Sequence, residues 1–238
     1  MLEESASALR DKRLCRLPTA TVIIVPAVLI CDLVTALDVA CLALTVAWAL
    51  IFVGYASWAL GKKGGIQNVF WVLATLALLL VTSTLLLYDF AGLQFFYVPV
   101  AGMFVAGLFA AGMLAASYRG RFGVFYAAYV LLLVVAYLLL KELGGLYLPA
   151  LLAVHVPSGL IVVLAPAFAA IRGLRVLWLT SIGGVLISVA GMALAALAVG
   201  APLLPASLVL FLVAPIILSS TFLMTLGLML TRKWLGLP

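Results

Sequence analysis

The sequence RGRFGVFYAAYVLLLVVAYLLLKELGGLYLP, at residues 119–149, shows in one unit how the whole chain is organised. Two arginines precede 19 uncharged residues, Phe122 to Leu140, and Lys141 and Glu142 end the run. About 20 apolar residues are what an α-helix needs to cross the hydrocarbon core of a bilayer. The stretch therefore predicts one membrane-spanning helix that ends in a short, glycine-containing turn.

The composition of the chain is that of a membrane protein. Hydrophobic residues make up 68% and charged residues 8%, and the mean hydropathy is +1.40. A soluble domain carries about a quarter charged residues. The sequence therefore predicts an all-α integral membrane protein whose main partner is the lipid bilayer.

Similar apolar runs recur along the chain, separated by charges or by Gly and Pro. The first is the shortest, because Arg16 and Asp32 leave only 15 uncharged residues between them. If it lies at the membrane interface, seven spans remain. The domain division is a basic cytoplasmic segment at 1–16, a polytopic domain at 17–231 and a short tail at 232–238. The eight predicted spans lie near residues 17–35, 38–60, 67–88, 95–117, 122–140, 147–171, 175–199 and 206–230.

Charges and aromatic residues predict the orientation. Basic residues mark cytoplasmic loops, and Trp and Tyr concentrate at both membrane interfaces. Both termini are therefore expected in the cytoplasm and the protein in the cell membrane. Because the basic residues come in small groups without a long basic face, nucleic acid is not an expected partner. The predicted inner boundary carries Arg10, Lys12, Arg13, Arg16, Lys62, Lys63, Arg119, Arg121, Arg172, Arg175, Arg232, Lys233, Trp58, Trp71, Trp178 and Trp234, and the outer one carries Asp32, Asp38, Asp89, Glu142, Tyr88, Tyr97 and Tyr147.

Two further patterns concern helix packing. Residues 85–93 resemble 138–146, and both continue into Tyr-x-Pro, so tandem helical hairpins about 53 residues apart are one interpretation and chance in a leucine-rich chain is the other.

Small residues four apart let membrane helices approach closely. Such rows are Gly102, Ala106 and Ala110, then Gly107, Ala111 and Ala115, and finally Gly191 and Ala195.

The spans carry few groups that could do chemistry. Apart from the first predicted span, none has Asp, Glu, Lys or Arg in its middle, and the chain has one histidine. Ion-coupled transporters usually keep an ionisable group inside the membrane, and a zinc protease of the H-E-x-x-H type needs two histidines. The sequence therefore favours a non-catalytic protein without a metal site, although an enzyme acting on lipids through its outer carboxylates stays open.

One candidate ligand site surrounds the histidine, in the segment His155-Val156-Pro157-Ser158-Gly159. Pro157 removes a backbone donor and is expected to kink the helix. Neutral imidazole can bind haem iron or hydrogen-bond a quinone, so haem b or a quinone is a candidate cofactor. Met103 and Met192 are expected at a similar depth, and either could supply a second axial ligand. The alternative is a structural His155 bonded to another helix or to the carbonyl that Pro157 frees.

A polar path is the other candidate site. It would be lined by two hydroxyl clusters, Thr82-Ser83-Thr84 and Ser219-Ser220-Thr221. The alternative is that these hydroxyls bond to their own backbone or to a neighbouring helix.

Three functions follow from these patterns. The first is a membrane-embedded anchor or channel-forming subunit of a larger transport or respiratory assembly, with partner subunits docked on the basic inner loops. The second is a stand-alone permease for a small neutral or apolar solute. The third is an electron-transfer subunit built around His155.

Overall fold

The computed structural model describes residues 21–88, 92, 95–118, 120–143, 147–198, 206–231 and 234, and all of their side chains except those of 21–34, 63, 192, 194–198, 206, 207 and 210. Both predicted terminal segments lie almost entirely outside this description. The described chain is all-helical. Its helices are α1 (Thr21–Lys63), α2 (Ile66–Tyr88), α3 (Tyr97–Ser117), α4 (Gly120–Glu142), α5 (Leu148–Ile171), α6 (Leu177–Ala198) and α7 (Ala206–Leu230).

The helices α2 to α7 begin and end within two residues of the six predicted spans from 67 onward. Six of the helices contain a described stretch that is long and apolar enough to cross a membrane. The helix α6 contributes a shorter described apolar stretch, Leu177–Gly191. By length and composition, the fold is that of a polytopic membrane protein.

The prediction of eight spans is not confirmed, because the first two predicted spans lie on one continuous helix. The helix α1 has 43 residues and a length of about 65 Å at 1.5 Å per residue. Its part next to α2, Thr35–Lys62, satisfies the criteria for a span. The segment from Leu33 to Leu37 contains neither Gly nor Pro, so the backbone has no residue there that favours a turn.

Six of the helices form a closed ring in the order α1, α2, α3, α5, α6, α7, and α7 packs back against α1. The helix α4 lies outside this ring, mainly against α3 and α5. The hairpins α2–α3 and α4–α5 contain the two similar segments, residues 85–93 and 138–146. They therefore hold different places in the bundle.

The middle of the ring is filled by side chains from all six ring helices. Phe52 of α1 stacks on Phe109 of α3 with ring centroids 6.4 Å apart. Trp71 and Trp234 belong to the same buried cluster, and their exposed fractions are 0% and 4%. Their expected place among the lipid headgroups is thus wrong, whereas Trp58 and Trp178 are exposed. Position along a span did not reveal which side of the helix each ring occupies.

Tight turns join the ring helices at the end that carries the basic residues. Gly64 closes α1 with a φ of 61° and donates its N–H to the carbonyl of Leu60 at 2.8 Å. Positive φ at a helix end favours glycine, which has no Cβ to clash. The described basic side chains at this end are all exposed, namely Lys62, Arg121, Arg172 and Arg175.

Candidate functional site

Pro157 interrupts the hydrogen-bond ladder of α5, which continues as one helix, and a tyrosine from α4 supplies the missing donor. Pro157 lies inside the helix and has no N–H to donate to the carbonyl of Ala153, four residues earlier. The hydroxyl of Tyr129 donates to that carbonyl oxygen at 2.8 Å. The acceptor that proline frees is therefore satisfied by the neighbouring helix and not by His155.

A second tyrosine of α4 binds on the other side of the break. The hydroxyls of Tyr126 and Ser158 lie 2.9 Å apart, and Ser158 is fully buried. The rings of Tyr126 and Tyr129 are in contact, with centroids 5.6 Å apart. The helix α4 thus fixes α5 both before and after Pro157.

The second proline break of α5 lies against α6. Pro166 leaves the carbonyl of Val162 without its helical donor. A Cβ on Gly184 of α6 would lie 3.2 Å from that carbonyl oxygen, so the backbone of α6 packs closely against α5 at this point. Ser181 donates its hydroxyl to the carbonyl of Val163 at 2.9 Å. Neighbouring helices therefore pack against both prolines: α4 donates to the carbonyl freed by the first, and α6 contacts the carbonyl freed by the second.

His155 is half-buried and bonded to its own helix. Its Nδ1 lies 3.0 Å from the carbonyl oxygen of Leu151. Because a carbonyl only accepts hydrogen bonds, this contact assigns the proton of the neutral ring to Nδ1. The other ring nitrogen, Nε2, is then left with a lone pair that can accept a hydrogen bond or bind a metal.

The two methionines proposed as axial ligands have different surroundings. Met103 is fully buried in an apolar cluster between α3, α4 and α5, together with Tyr137 and Val154. Met192 is on α6, and its side chain lies outside the described part. Among the described residues, no group of three or more His, Cys, Asp and Glu could hold a metal ion.

The hydroxyls of the predicted polar path bond mainly to their own helices. Thr82 is fully buried and donates to the carbonyl of Leu78 at 2.9 Å. Ser219 is exposed and donates to Pro215 at 2.8 Å. Thr84 and Ser220 also bond to carbonyls of their own helices, Ser83 is half-buried and Thr221 is buried.

Other polar side chains join helices to one another, and sequence reasoning did not single them out. The indole Nε1 of Trp48 on α1 donates to the hydroxyl of Thr225 on α7 at 2.6 Å. Thr180 on α6 donates to the carbonyl of Met224 on α7 at 3.2 Å. For Tyr126 and Tyr129 a signal did exist, because residues three apart share a helix face and a broken neighbouring helix needs donors.

The small residues of the predicted packing rows differ in their surroundings: some lie against another helix, and others have no described atom close by. Gly107 lies against Val130 of α4, where a Cβ would come within 2.5 Å of the valine side chain. Ala111 and Ala115, in the same row, contact Gly123 of α4. Ala110 is fully buried, and Ala106 is half-buried. In contrast, Gly102 and Gly191 have no described heavy atom within 4 Å of a built Cβ, and the side chain of Ala195 is not described.

Comparisons with protein-family models, with curated proteins and with solved structures return no match to this chain. The class of the protein, a polytopic helical membrane protein, therefore rests on its own helices and their apolar lengths.

Proposed function

We propose that this protein is a non-catalytic, membrane-embedded subunit that anchors partner subunits of a larger transport or respiratory assembly. The observation that carries this proposal is the use of the buried polar side chains. In the part of the chain that the structure describes, most of the buried hydroxyls bond to a neighbouring helix or to a backbone carbonyl of their own helix, whereas the buried indole N–H of Trp71 has no hydrogen-bond partner. Such use supports a scaffold.

Several pairs of neighbouring helices share a polar contact of this kind. Trp48 with Thr225 joins α1 to α7, Ser181 joins α6 to α5, and Tyr126 with Ser158 joins α4 to α5. One such bond between membrane helices contributes about 0.6 kcal/mol on average. The set acts together with the filled core to hold one arrangement of helices, which suits a subunit that presents a fixed surface.

The basic end of the bundle is the proposed docking surface. Lys62, Arg121, Arg172 and Arg175 are exposed there, the first two at helix ends and the other two in the turn between α5 and α6, and the helices at this end are joined by turns of two to five residues. Turns of this length cannot form a domain of their own, so we expect a partner chain to bind across them. Four positive charges favour a partner with an acidic surface, because complementary charge steers association.

The test is a purification of the tagged protein from its native membrane in a mild detergent, with partner stoichiometry measured by quantitative mass spectrometry. Replacing all four exposed basic residues by Glu should remove the stoichiometric partner. The control is Lys141→Glu at the opposite end of α4, which should retain it. A chain that purifies alone and conducts glycerol or urea in proteoliposomes would instead be a permease.

One observation keeps the electron-transfer function as a second candidate, namely the lone pair on Nε2 of His155. A haem bound there would give a reduced-minus-oxidised absorption difference that His155→Ala abolishes. A featureless spectrum of protein purified with its partners would end this candidate.

A further inference from the structure

The helix α4 turns one face toward the bundle and the opposite face outward. Its buried residues recur at the spacing of one helix face, and they are Gly123, Val130, Val134 and Tyr137. Phe125 and Leu132 are seven residues apart on the other side of the helix, and they are 70% and 67% exposed. Because α4 lies outside the ring of helices, this outward face meets lipid in a bilayer.

Arg121 lies at the basic end of this outward face. It precedes Phe125 by four residues, so both side chains belong to the same side of α4. The rise from Arg121 to Leu132 is about 16 Å, at 1.5 Å per residue. That length is close to half of the hydrocarbon core, which is about 30 Å thick. The face from Arg121 to Leu132 therefore matches one leaflet, with a cation at the headgroup level and apolar side chains at the acyl level.

An aromatic ring holds the guanidinium of Arg121. Its Cζ atom lies 5.5 Å from the centroid of the Phe122 ring, which is within the range of a cation–π contact. The ring of Tyr118 contacts the same phenyl ring, with centroids 6.2 Å apart. Both rings are exposed, Tyr118 by 65% and Phe122 by 48%. Since a phenyl ring is not a strong acceptor, the N–H groups of Arg121 can still donate to a ligand.

The positive charge of Arg121 calls for an anion from outside the described protein. Among the residues whose side chains the structure describes, the acidic ones are Asp38 and Glu142, and both lie toward the end of the bundle opposite the basic residues. Arg119 adds a second positive charge to the same turn of the sequence. A guanidinium forms paired hydrogen bonds with phosphate oxygens. The anion that combines a phosphate with acyl chains is a phospholipid.

We propose that the outward face of α4, defined by Arg121, Phe122, Phe125 and Leu132, binds an anionic phospholipid. Its phosphate accepts hydrogen bonds from Arg121, and an acyl chain lies along Phe125 and Leu132. A lipid with a net negative charge binds more tightly than a zwitterionic one, because an ammonium group beside the phosphate is repelled by Arg121. The site does not rest on the proposed partner subunits, since the isolated chain is sufficient to bind the lipid.

The test is native mass spectrometry of the full chain in detergent, which resolves individual bound lipids. Dioleoylphosphatidylglycerol and dioleoylphosphatidylcholine share their acyl chains and differ in headgroup charge, and each is titrated separately. Arg121→Gln should raise the dissociation constant of the phosphatidylglycerol about fivefold, the contribution of one basic residue near an anionic surface. It should change that of the phosphatidylcholine little. Equal binding of the two lipids by the unmodified chain would overturn the proposal.

Two further variants test the location. Phe122→Leu keeps the charge and removes the ring, so it should weaken binding of the phosphatidylglycerol about threefold, and it serves if Arg121→Gln does not fold. Arg175→Gln is the matched control, because it removes the same charge from an exposed position at the same end, in the turn between α5 and α6. It should leave binding unchanged. Equal weakening by Arg175→Gln and Arg121→Gln, or no effect of Phe122→Leu, would refute the site on α4.

A competition experiment distinguishes a lipid from a dissolved phosphate. Glycerol 3-phosphate carries the phosphate group without acyl chains, so it can reach Arg121 but gains nothing from Phe125 and Leu132. At a concentration equal to that of the phosphatidylglycerol, it should leave the bound lipid in place. Displacement of the lipid would show that the phosphate alone determines binding, and the lipid site would be wrong.

Discussion

The hydroxyl of Tyr129 lies 2.8 Å from the carbonyl oxygen of Ala153, the acceptor that Pro157 leaves without a helical donor. A carbonyl that would otherwise be unpaired inside the helix bundle is thereby joined to α4. In a bilayer, an unsatisfied backbone group costs several kcal/mol. This pair therefore explains why α5 tolerates a proline and why α4 is fixed beside it.

Removing this donor should destabilise the bundle only while the proline is present. We expect Tyr129→Phe to lower the free energy of unfolding by about 1 kcal/mol, measured by titration from mild detergent into dodecyl sulfate. In a Pro157→Ala background the helix regains its own N–H donor, so the same change should cost less than half as much. Tyr118→Phe, on a 65% exposed ring, is the control. An equal cost in both backgrounds would contradict the role given to Tyr129.

Two glycines of α3 should respond oppositely to an added methyl group. A Cβ on Gly112 would collide with the indole Nε1 of Trp71, whereas one on Gly102 meets no described atom. We expect Gly112→Ala to destabilise the fold by about 1 to 3 kcal/mol. Gly102→Ala should be neutral or stabilise it by up to about 1 kcal/mol. Thermal unfolding in detergent compares the two, and similar effects would show that the contact with Trp71 is not as described.

The hydroxyls of α7 should differ in their effect on stability. Thr225 accepts from Trp48 of another helix, but Ser219 donates within its own helix. Thr225→Val should lower the free energy of unfolding by about 1 kcal/mol, because it leaves the Trp48 donor unpaired. Thr225→Ser should keep most of this stability, and Ser219→Ala should change the free energy of unfolding little. A loss of solute flux in Ser219→Ala with unchanged stability would support a polar path instead.

The side of the membrane that holds the N-terminus is a separate prediction. As one straight helix, α1 would carry the apolar segment Thr21–Cys31 beyond the end opposite Lys63. Its transfer into lipid is favourable, and the basic residues before it favour the cytoplasm. The charge pattern therefore predicts that Cys15, in a variant with Cys31 and Cys41 replaced by Ala, reacts with impermeant maleimide from the cytoplasmic side only, whereas an α1 that crosses once as a continuous helix predicts reaction from the opposite side.

Two added cysteines calibrate this topology assay. Gly65→Cys reports the basic end and Leu143→Cys the other end, where Leu143 is 81% exposed. Reaction of Cys15 from the Leu143 side would mean that α1 crosses once and that the charge pattern misplaces the N-terminus.

Most helix bounds could be predicted because they follow from the length of apolar runs between charges. The boundary at Gly64-Gly65 is an example, since two glycines end one run and begin the next. The turn that the sequence predicts between the first two spans is not formed, because α1 is one continuous helix there. Asp32 and Asp38 mark a polar interval, but an isolated aspartate does not stop a leucine-rich helix.

The candidate site was harder to predict, because its contacts join distant residues. Pro157 predicted an interrupted hydrogen-bond ladder in α5 and an unpaired carbonyl. The spacing of Tyr126 and Tyr129 placed two hydroxyls on one face of α4, but that Tyr129 donates to Ala153 follows from how α4 packs against α5, which local sequence does not reveal. For the same reason, the sequence could place Gly191 in a packing row but could not show that no described atom lies within 4 Å of its built Cβ.

The most direct test of the central claim is the mass of the intact, gently solubilised particle, measured by native mass spectrometry from the native membrane. An anchor subunit predicts a particle in which this 25.1 kDa chain is held with other chains in a fixed ratio. A particle that contains only copies of this chain would contradict the proposed function.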